Sequence, residues 1–141
     1  MRDARIDVSD TDREEGEELA RSIARKVLQA SEREPATIEV MSIHLLRDVA
    51  PESYDMLARA GDVETEDGLE GTVEASDETV DAVLDLFHPM LIKAVIRDED
   101  DQVIFARHEY AAMEFSLGED AYKELEAELT EAEAERVQQT E

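Results

Sequence analysis

The chain has 141 residues, enough for one domain with a buried core, and 42% of them are hydrophobic. It carries 39 Asp and Glu residues against 14 Lys and Arg residues, which gives a formal net charge of −25. Such a surface repels nucleic-acid phosphates, so we expect no direct binding to DNA or RNA. The chain contains no cysteine, which excludes disulfides, iron–sulfur clusters and thiol catalysis.

Two interpretations of the acidic composition compete. Self-repulsion could keep the chain disordered. Alternatively, the chain folds in a salt-rich cytoplasm, where screening over a few ångströms weakens that repulsion. Apolar residues at helical spacing favour the folded interpretation, because a disordered chain has no need of them. Scarce lysine and abundant acids resemble haloarchaeal proteins in general.

The first part of the chain predicts a strand, a helix, a second strand and a second helix. Ile6 and Val8 alternate as in a short strand. A capping-box pattern at Thr11-x-x-Glu14 starts a helix that ends before Pro35. Its apolar stripe consists of Leu19, Ile23, Val27 and Ala30. The β-branched run 37–43 predicts a strand, and Pro51 suits the first turn of a helix that stops at Gly61.

The strongest apolar periodicity lies between Val80 and Val95, where it predicts one long helix capped by Ser76. Pro89 interrupts this pattern, so we expect a kink there. The acidic residues 98–101 predict a turn, and residues 102–105 a short extended segment. Residues 108–115, with Tyr110 and Met113 pointing inward, and a segment capped by Ser116 predict two further helices.

These elements predict a mainly α (α+β) fold: a small helical domain of four to five helices, one or two short strands and an acidic loop. We divide the chain into an N-terminal helical and strand part (1–61), an acidic loop or linker (62–76), a C-terminal helical part (77–131) and a frayed tail (132–141).

No pattern of catalytic or metal-binding residues stands out. The three histidines are scattered, the serines lie in no nucleophile elbow, and the five glycines form no phosphate-binding loop. The acidic segment that begins at Asp62 lacks the glycine and the twelfth-position carboxylate of a calcium loop. We therefore expect a protein that is not an enzyme and has no cofactor and no metal.

The central apolar segment is the best candidate for an interface with another protein, because its apolar residues cover most of the predicted helix. We predict partner contacts at Phe87, Met90, Leu91, Val95 and Phe105. The N-terminus has no apolar signal region and no run reaches membrane-spanning length, so we expect no membrane contact.

Residues 81–87 and 91–105 resemble the C-terminal part of tail assembly chaperones of long-tailed viruses, and residues 116–121 match the start of the last helix in that family. The resemblance implies an apolar helix, an acidic turn, an apolar-Phe segment, a short helix and a serine-capped helix. It also implies a helper that binds tape-measure or tube subunits in a halophilic host, in the host cytoplasm or associated with the virion.

Two other functions remain open. The chain could be a structural virion component, such as a head–tail connector subunit. It could instead be a haloarchaeal adaptor or regulatory protein that forms a homo-oligomer, a dimer, through the central helix. All three interpretations describe a protein that acts by binding other proteins.

Overall fold

The computed structural model describes residues 2–8, 11–87, 91–108 and 112–140. Within these ranges the chain forms one antiparallel sheet of seven strands together with six helices. In chain order the elements are β1 (Arg2–Ile6), α1 (Arg13–Ala30), β2 (Thr37–Ile43), α2 (Leu46–Val49), α3 (Pro51–Ala60), β3 (Gly68–Glu74), α4 (Asp77–Asp85), β4 (Leu91–Arg97), β5 (Val103–His108), β6 (Ala112–Leu117), α5 (Glu119–Glu128), α6 (Glu131–Ala134) and β7 (Val137–Thr140).

The strands lie in the order β3-β2-β4-β5-β6-β1-β7. Strand β1 pairs with β6 on one side, where Arg2 lies opposite Leu117, and with β7 on the other, where Ile6 lies opposite Val137. All four predicted segments of the chain contribute strands to this one sheet.

The core lies between one face of the sheet and the helices. Alternate strand residues such as Ile38, Ile96 and Phe115 are buried in the same cluster as the apolar residues of α1, α3, α4 and α5. We call the opposite side of the sheet the open face. It carries mostly polar residues, since neighbouring residues of a strand point to opposite sides.

Local signals explain where several helices start. The side chain of Asp12 accepts a hydrogen bond from the Glu15 backbone at 3.0 Å and caps α1, one residue after the predicted Thr11. Pro51 occupies the first turn of α3. Ser76 caps α4 in a reciprocal capping box with Thr79, so the predicted start of this helix is confirmed.

The predicted mainly α fold is wrong, and the central segment accounts for much of the error. Helix α4 ends at Asp85, and residues 91–97 form strand β4, which pairs with β2 and β5. Pro89, where we predicted a kink, lies outside the described residues. Val95 and Ile96 are adjacent β-branched residues, so together they put apolar side chains on both faces of a strand. This pattern suits a strand in the middle of a sheet and accounts for the wrong prediction.

The next predicted helix, over 108–115, is also wrong. Strand β6 occupies residues 112–117 and pairs with β5 and β1, and Tyr110 lies outside the described residues. Ser116 is part of that strand and does not cap a helix. Gly118 is the N-cap residue of α5. The acidic turn at 98–101 connects β4 and β5 in a β-hairpin. A hydrogen bond from the Asp98 amide to the Gln102 carbonyl closes this turn.

The acidic loop and the frayed tail are more ordered than the sequence suggested. Strand β3 lies within the predicted loop and pairs with β2 along its whole length. Helix α6 and strand β7 occupy most of the predicted tail. Glu133 of α6 is only 2% exposed and forms an ion pair with Lys26 of α1, which attaches this end of the chain to the helical layer.

Candidate functional site

The predicted partner-binding residues that the structure describes lie in its interior. Phe87 and Phe105 are buried, and their rings stack with a centroid separation of 5.9 Å. Met90 lies outside the described residues, and of Leu91 the structure describes the backbone in β4. A role of these residues in partner binding stays a prediction. The buried aromatic pair contributes to the core in any case.

Val95 is buried on the open face beneath charged side chains. It lies opposite Glu39 of β2 and between Lys93 and Arg97 of its own strand. The Glu39 carboxylate accepts hydrogen bonds from Lys93 Nζ at 2.5 Å and from Arg97 Nη1 at 2.8 Å. These two bonds hold the pKa of Glu39 below its usual value. The apolar centre of the open face is therefore covered by an ion-pair network.

A buried arginine lies on the core side of β5, and no sequence pattern predicted it. Arg107 is 3% exposed, and its guanidinium lies 4.9 Å from the centre of the Phe87 ring. Burial lowers the pKa of Arg107 to about 10, although the nearby Glu17 carboxylate acts in the opposite direction. The group is therefore still charged at neutral pH, and a cation–π contact with Phe87 stabilises it.

Polar residues at one end of the open face line a groove of about 350 Å³. His108 Nε2 lies 3.7 Å from Glu114 Oε1, and Arg5 is the residue opposite Glu114 on β1. The described residues that line this groove include no serine, threonine, cysteine or lysine. No described group of three histidine or acidic side chains is arranged to hold a metal ion.

The most distinctive surface feature is a small apolar patch between β2 and α3. Ile43, Leu45 and Val49 are exposed to 37%, 56% and 51%, respectively, and they are the large apolar side chains that stand out as exposed among the described residues. We call these three residues the apolar patch. Leu45 and Val49 are four positions apart around the short helix α2, so they lie side by side. Their neighbour Leu46 is fully buried.

Hydrogen bonds and a buried anchor hold the apolar patch in place. The His44 amide donates to the Asp67 carbonyl at 2.7 Å, and the Ala50 amide donates to the Leu46 carbonyl at 3.1 Å. Arg47 Nε lies 3.4 Å from the Asp55 carboxylate. The patch is therefore a preformed surface, so little conformational entropy of this segment is lost when a partner binds.

An acidic cleft of about 450 Å³ lies close to the apolar patch, between α3 and α4. It is lined by Arg25, Glu52, Ser53, Met56, Glu78, Asp81, Ala82 and Asp85. Arg25 forms an ion pair with Asp81 at 2.9 Å, and the Ser53 hydroxyl donates to Asp85 at 3.0 Å. Val49 and Glu52 are three residues apart, so their Cα atoms are at most about 11 Å apart.

Sequence reasoning placed residue 43 at the end of a predicted strand, and it did not identify the apolar patch. The spacing of Leu45 and Val49 is compatible with a buried helical face as much as with an exposed one. Only the burial of Leu46 in the core shows which side of α2 points outward. Exposure of this kind depends on tertiary structure and has no local signature.

No known protein family, curated protein or solved structure matches this chain. The segments that resemble tail assembly chaperones lie in α4, β4, β5, β6 and α5. Strand β6 lies where that resemblance implies a short helix. Among the described residues, no helix has the length and apolar character needed to cross a bilayer.

Proposed function

We propose that the protein is a non-enzymatic protein-interaction protein and that the apolar patch is part of its binding surface. One observation carries this proposal: among the residues whose exposure the structure describes, the exposed large apolar side chains fall within seven consecutive residues, in a chain whose net charge is −25. Exposed apolar groups that cluster in this way mark interaction sites more often than isolated ones do.

Three exposed apolar side chains are too few for a stable interface, which buries roughly 800 Å² per partner. They are better suited to the centre of a contact whose rim is polar, as in most interfaces between proteins that also exist apart. Asp48 and Glu52, which are exposed acidic residues next to the patch in the sequence, can contribute to such a rim. They also oppose binding to phosphate-rich partners, which favours a protein as the ligand.

The resemblance to tail assembly chaperones suggests a specific form of this proposal. In that form the protein is an assembly helper in a halophilic host, and its partner is a tape-measure or tube subunit. It would then act in the host cytoplasm before the particle is complete. Identification of the partner decides between this form and the more general one.

The test compares the wild-type protein with the double variant Leu45→Asn/Val49→Asn. Each protein is immobilised and incubated with lysate of its source cells at molar salt, and the retained proteins are identified by mass spectrometry. We expect the wild-type protein to retain one main partner and the double variant to lose most of it. Both substituted side chains are exposed, so circular dichroism should show an unchanged fold.

Asp48→Asn is the matched control, because it changes an exposed residue of the same short helix and leaves the apolar patch intact. This variant should retain the partner at the wild-type level. If the double variant is folded and retains the same partner as the wild-type protein, the apolar patch is not the binding surface. A tape-measure or tube protein among the retained proteins would support the specific form.

A further inference from the structure

We infer that the outer edge of β7 is a self-association surface, at which two copies of this chain pair in antiparallel fashion and join their sheets into one. This surface is separate from the apolar patch, and the inference does not rest on the proposed function. Strand β7 lies at one edge of the seven-stranded sheet and pairs with β1 on its inner side. No strand of the described residues pairs with its outer side.

The hydrogen bonds between β1 and β7 show which backbone groups of β7 point outward. The Asp7 amide donates to the Arg136 carbonyl at 2.9 Å, so these two residues form a hydrogen-bonded pair at the start of this ladder. Hydrogen-bonded and non-hydrogen-bonded pairs alternate along an antiparallel ladder. The backbone of Gln138 therefore bonds to β1, whereas the amide and carbonyl groups of Val137 and Gln139 point away from the sheet.

The opposite edge of the sheet, formed by β3, is protected by its own chain. The Glu70 amide donates to the Val63 carbonyl at 2.8 Å, and the Gly68 carbonyl accepts from the Thr65 amide at 2.7 Å. Strand β3 also contains two glutamates, Glu70 and Glu74. Charged residues and a covering segment are the usual means by which an edge strand avoids pairing with another chain.

Strand β7 has neither a charged residue nor a proline in its sequence, Val137-Gln-Gln-Thr140, and it differs in charge from every other strand that the structure describes. Two copies of a chain with a net charge of −25 repel each other over most of their surfaces. At an uncharged edge no like charges come to lie directly opposite each other. Strand β7 is therefore the strand edge at which a second copy of this chain meets the least repulsion.

One antiparallel register lets two copies satisfy each other's outward groups. A twofold axis at Gln138, perpendicular to the sheet, places Val137 opposite Gln139 of the second copy and Gln139 opposite Val137. These two hydrogen-bonded pairs provide four backbone hydrogen bonds. Gln138 lies opposite Gln138 of the second copy in the non-hydrogen-bonded pair between them. Because β3 is protected, the association closes as a dimer and does not extend into a filament.

The contact is small, since four residues of a strand extend over about 14 Å. Interfaces well below about 800 Å² per partner belong to weak associations, so we expect a reversible dimer with a Kd of roughly 10 µM to 1 mM. Ile43 of the apolar patch belongs to β2, five strand spacings or about 24 Å across the sheet from β7. A dimer formed through β7 thus leaves both apolar patches free.

The first test is sedimentation equilibrium of the full chain in about 1 M KCl, where the screening length is about 3 Å, at protein concentrations up to about 1 mM. We expect the wild-type protein to approach twice the monomer mass. Gln139→Pro removes an outward amide and leaves the pairing of β7 with β1 intact, so this variant should stay monomeric with an unchanged circular dichroism spectrum. Gln139→Ala keeps the amide and should dimerise like the wild-type protein.

A second test measures the register, because the chain contains no cysteine of its own. In the inferred dimer Gln138→Cys brings two thiols opposite each other in a non-hydrogen-bonded pair, where a Cβ–Cβ distance of about 4.5 Å is short enough for a disulfide. Thr72→Cys, at an exposed position of the protected strand β3, is the matched control. We expect mild oxidation to cross-link Gln138→Cys quickly and Thr72→Cys slowly.

Three results would overturn the inference. They are a wild-type protein that stays monomeric at about 1 mM, a Gln139→Pro variant that dimerises like the wild-type protein, and equal cross-linking rates of the two cysteine variants, which indicate random collision. Leu45→Asn/Val49→Asn should dimerise normally. If this variant is monomeric while Gln139→Pro dimerises, the apolar patch itself is the contact between copies. Loss of the cellular partner by the patch variant bears on the proposed function alone.

Discussion

Arg33 and Asp98 are 65 residues apart in the chain, and an ion pair of 3.0 Å joins the connection between α1 and β2 to the turn between β4 and β5. Arg33 also donates hydrogen bonds to the carbonyl groups of Val103 and Ser116, at 3.4 Å and 2.8 Å. Backbone amides of Gln102 and Asp100, together with Arg33, hold the pKa of Asp98 below its usual value despite burial. The Arg33 side chain thus connects the turn between β4 and β5, the start of β5 and the end of β6.

Replacing Arg33 by methionine should lower the midpoint of thermal unfolding by several degrees. The substitution removes the partner of Asp98 and leaves two carbonyl groups without their donor, whereas the apolar length of the side chain is retained. Arg33→Lys should have an intermediate effect, because it keeps the charge but not the forked geometry. Differential scanning calorimetry at fixed molar salt measures all three proteins. A melting temperature of Arg33→Met equal to that of the wild-type protein would show that the connection is unimportant.

Glu133 should make the stability depend on pH in the acid range. Burial raises the pKa of Glu133, but hydrogen bonds from Lys26, Ser22 and the Thr130 backbone outweigh burial and lower it to about 2 from the usual 4.5. Because the folded-state pKa lies below the unfolded-state value, ionised Glu133 stabilises the fold above pH 4.5. This contribution, about 3 kcal/mol at low salt, is lost as the pH falls from 4.5 toward 2.

The measurement is the free energy of unfolding by denaturant at a series of pH values. Glu133→Gln should be less stable than the wild-type protein at neutral pH, and the difference should shrink below pH 4.5. A constant difference across this range would mean that the ionised carboxylate is not responsible. Glu124→Gln on the exposed surface of α5 is the control, and its pH profile should match that of the wild-type protein.

Gly68 should tolerate no side chain. Its φ angle is +148°, and a Cβ atom at this position would lie 2.0 Å from the carbonyl oxygen of Ser42. We expect Gly68→Ala to lower the free energy of unfolding by roughly 1–3 kcal/mol or more, because both the backbone conformation and the close approach of β3 to β2 are disturbed. Denaturant unfolding followed by circular dichroism measures the loss.

Gly118 provides the matched comparison. Its φ angle is −62°, the nearest heavy atom to an added Cβ lies 3.9 Å away, and it caps α5 without a side-chain hydrogen bond. Gly118→Ser should therefore stabilise the protein by a few tenths to about 1 kcal/mol. If both glycine variants lose stability to the same extent, the conformational argument for Gly68 is wrong.

Salt should stabilise the whole chain. With a net charge of −25, self-repulsion opposes folding over a screening length of about 10 Å at 0.1 M salt and about 3 Å at 1 M. We expect both the helical circular dichroism signal and the midpoint of unfolding to rise from about 0.1 M to 1 M KCl. An unchanged signal and midpoint would contradict adaptation to a salt-rich cytoplasm.

Local signals predicted the elements in which turn chemistry and periodicity agree. The stripe from Leu19 to Ala30, the β-branched run 37–43 and Pro51 each identified a real element, α1, β2 and α3 respectively. Strands β3 and β7 were not predicted. They lie at the two edges of the sheet, and an edge strand needs few apolar residues when only one of its faces is buried. Pairing across the sheet decides such segments, and pairing partners are not visible in one sequence.

The prediction of one long helix in the central segment was wrong for a different reason. Its apolar residues satisfy a helical spacing and an alternating spacing at once, so periodicity alone could not separate helix from strand. Two apolar runs on either side of the acidic turn 98–101 are typical of a β-hairpin. The candidate binding surface could not be predicted, because the sequence does not show that Leu46 is buried while Leu45 and Val49 point outward.

Strand β1 lies between β6 and β7, so its two neighbours in the sheet are the last two strands of the described chain. During synthesis, β1 therefore precedes both of its partners and cannot pair until the residues of β6, up to Leu117, have been made. Contacts between such distant residues slow folding, because a long loop must close before they form. Until then Ala4 and Ile6, which end up buried, stay exposed to other chains. Slower synthesis of the residues between β1 and β6 would therefore prolong the exposure of Ala4 and Ile6.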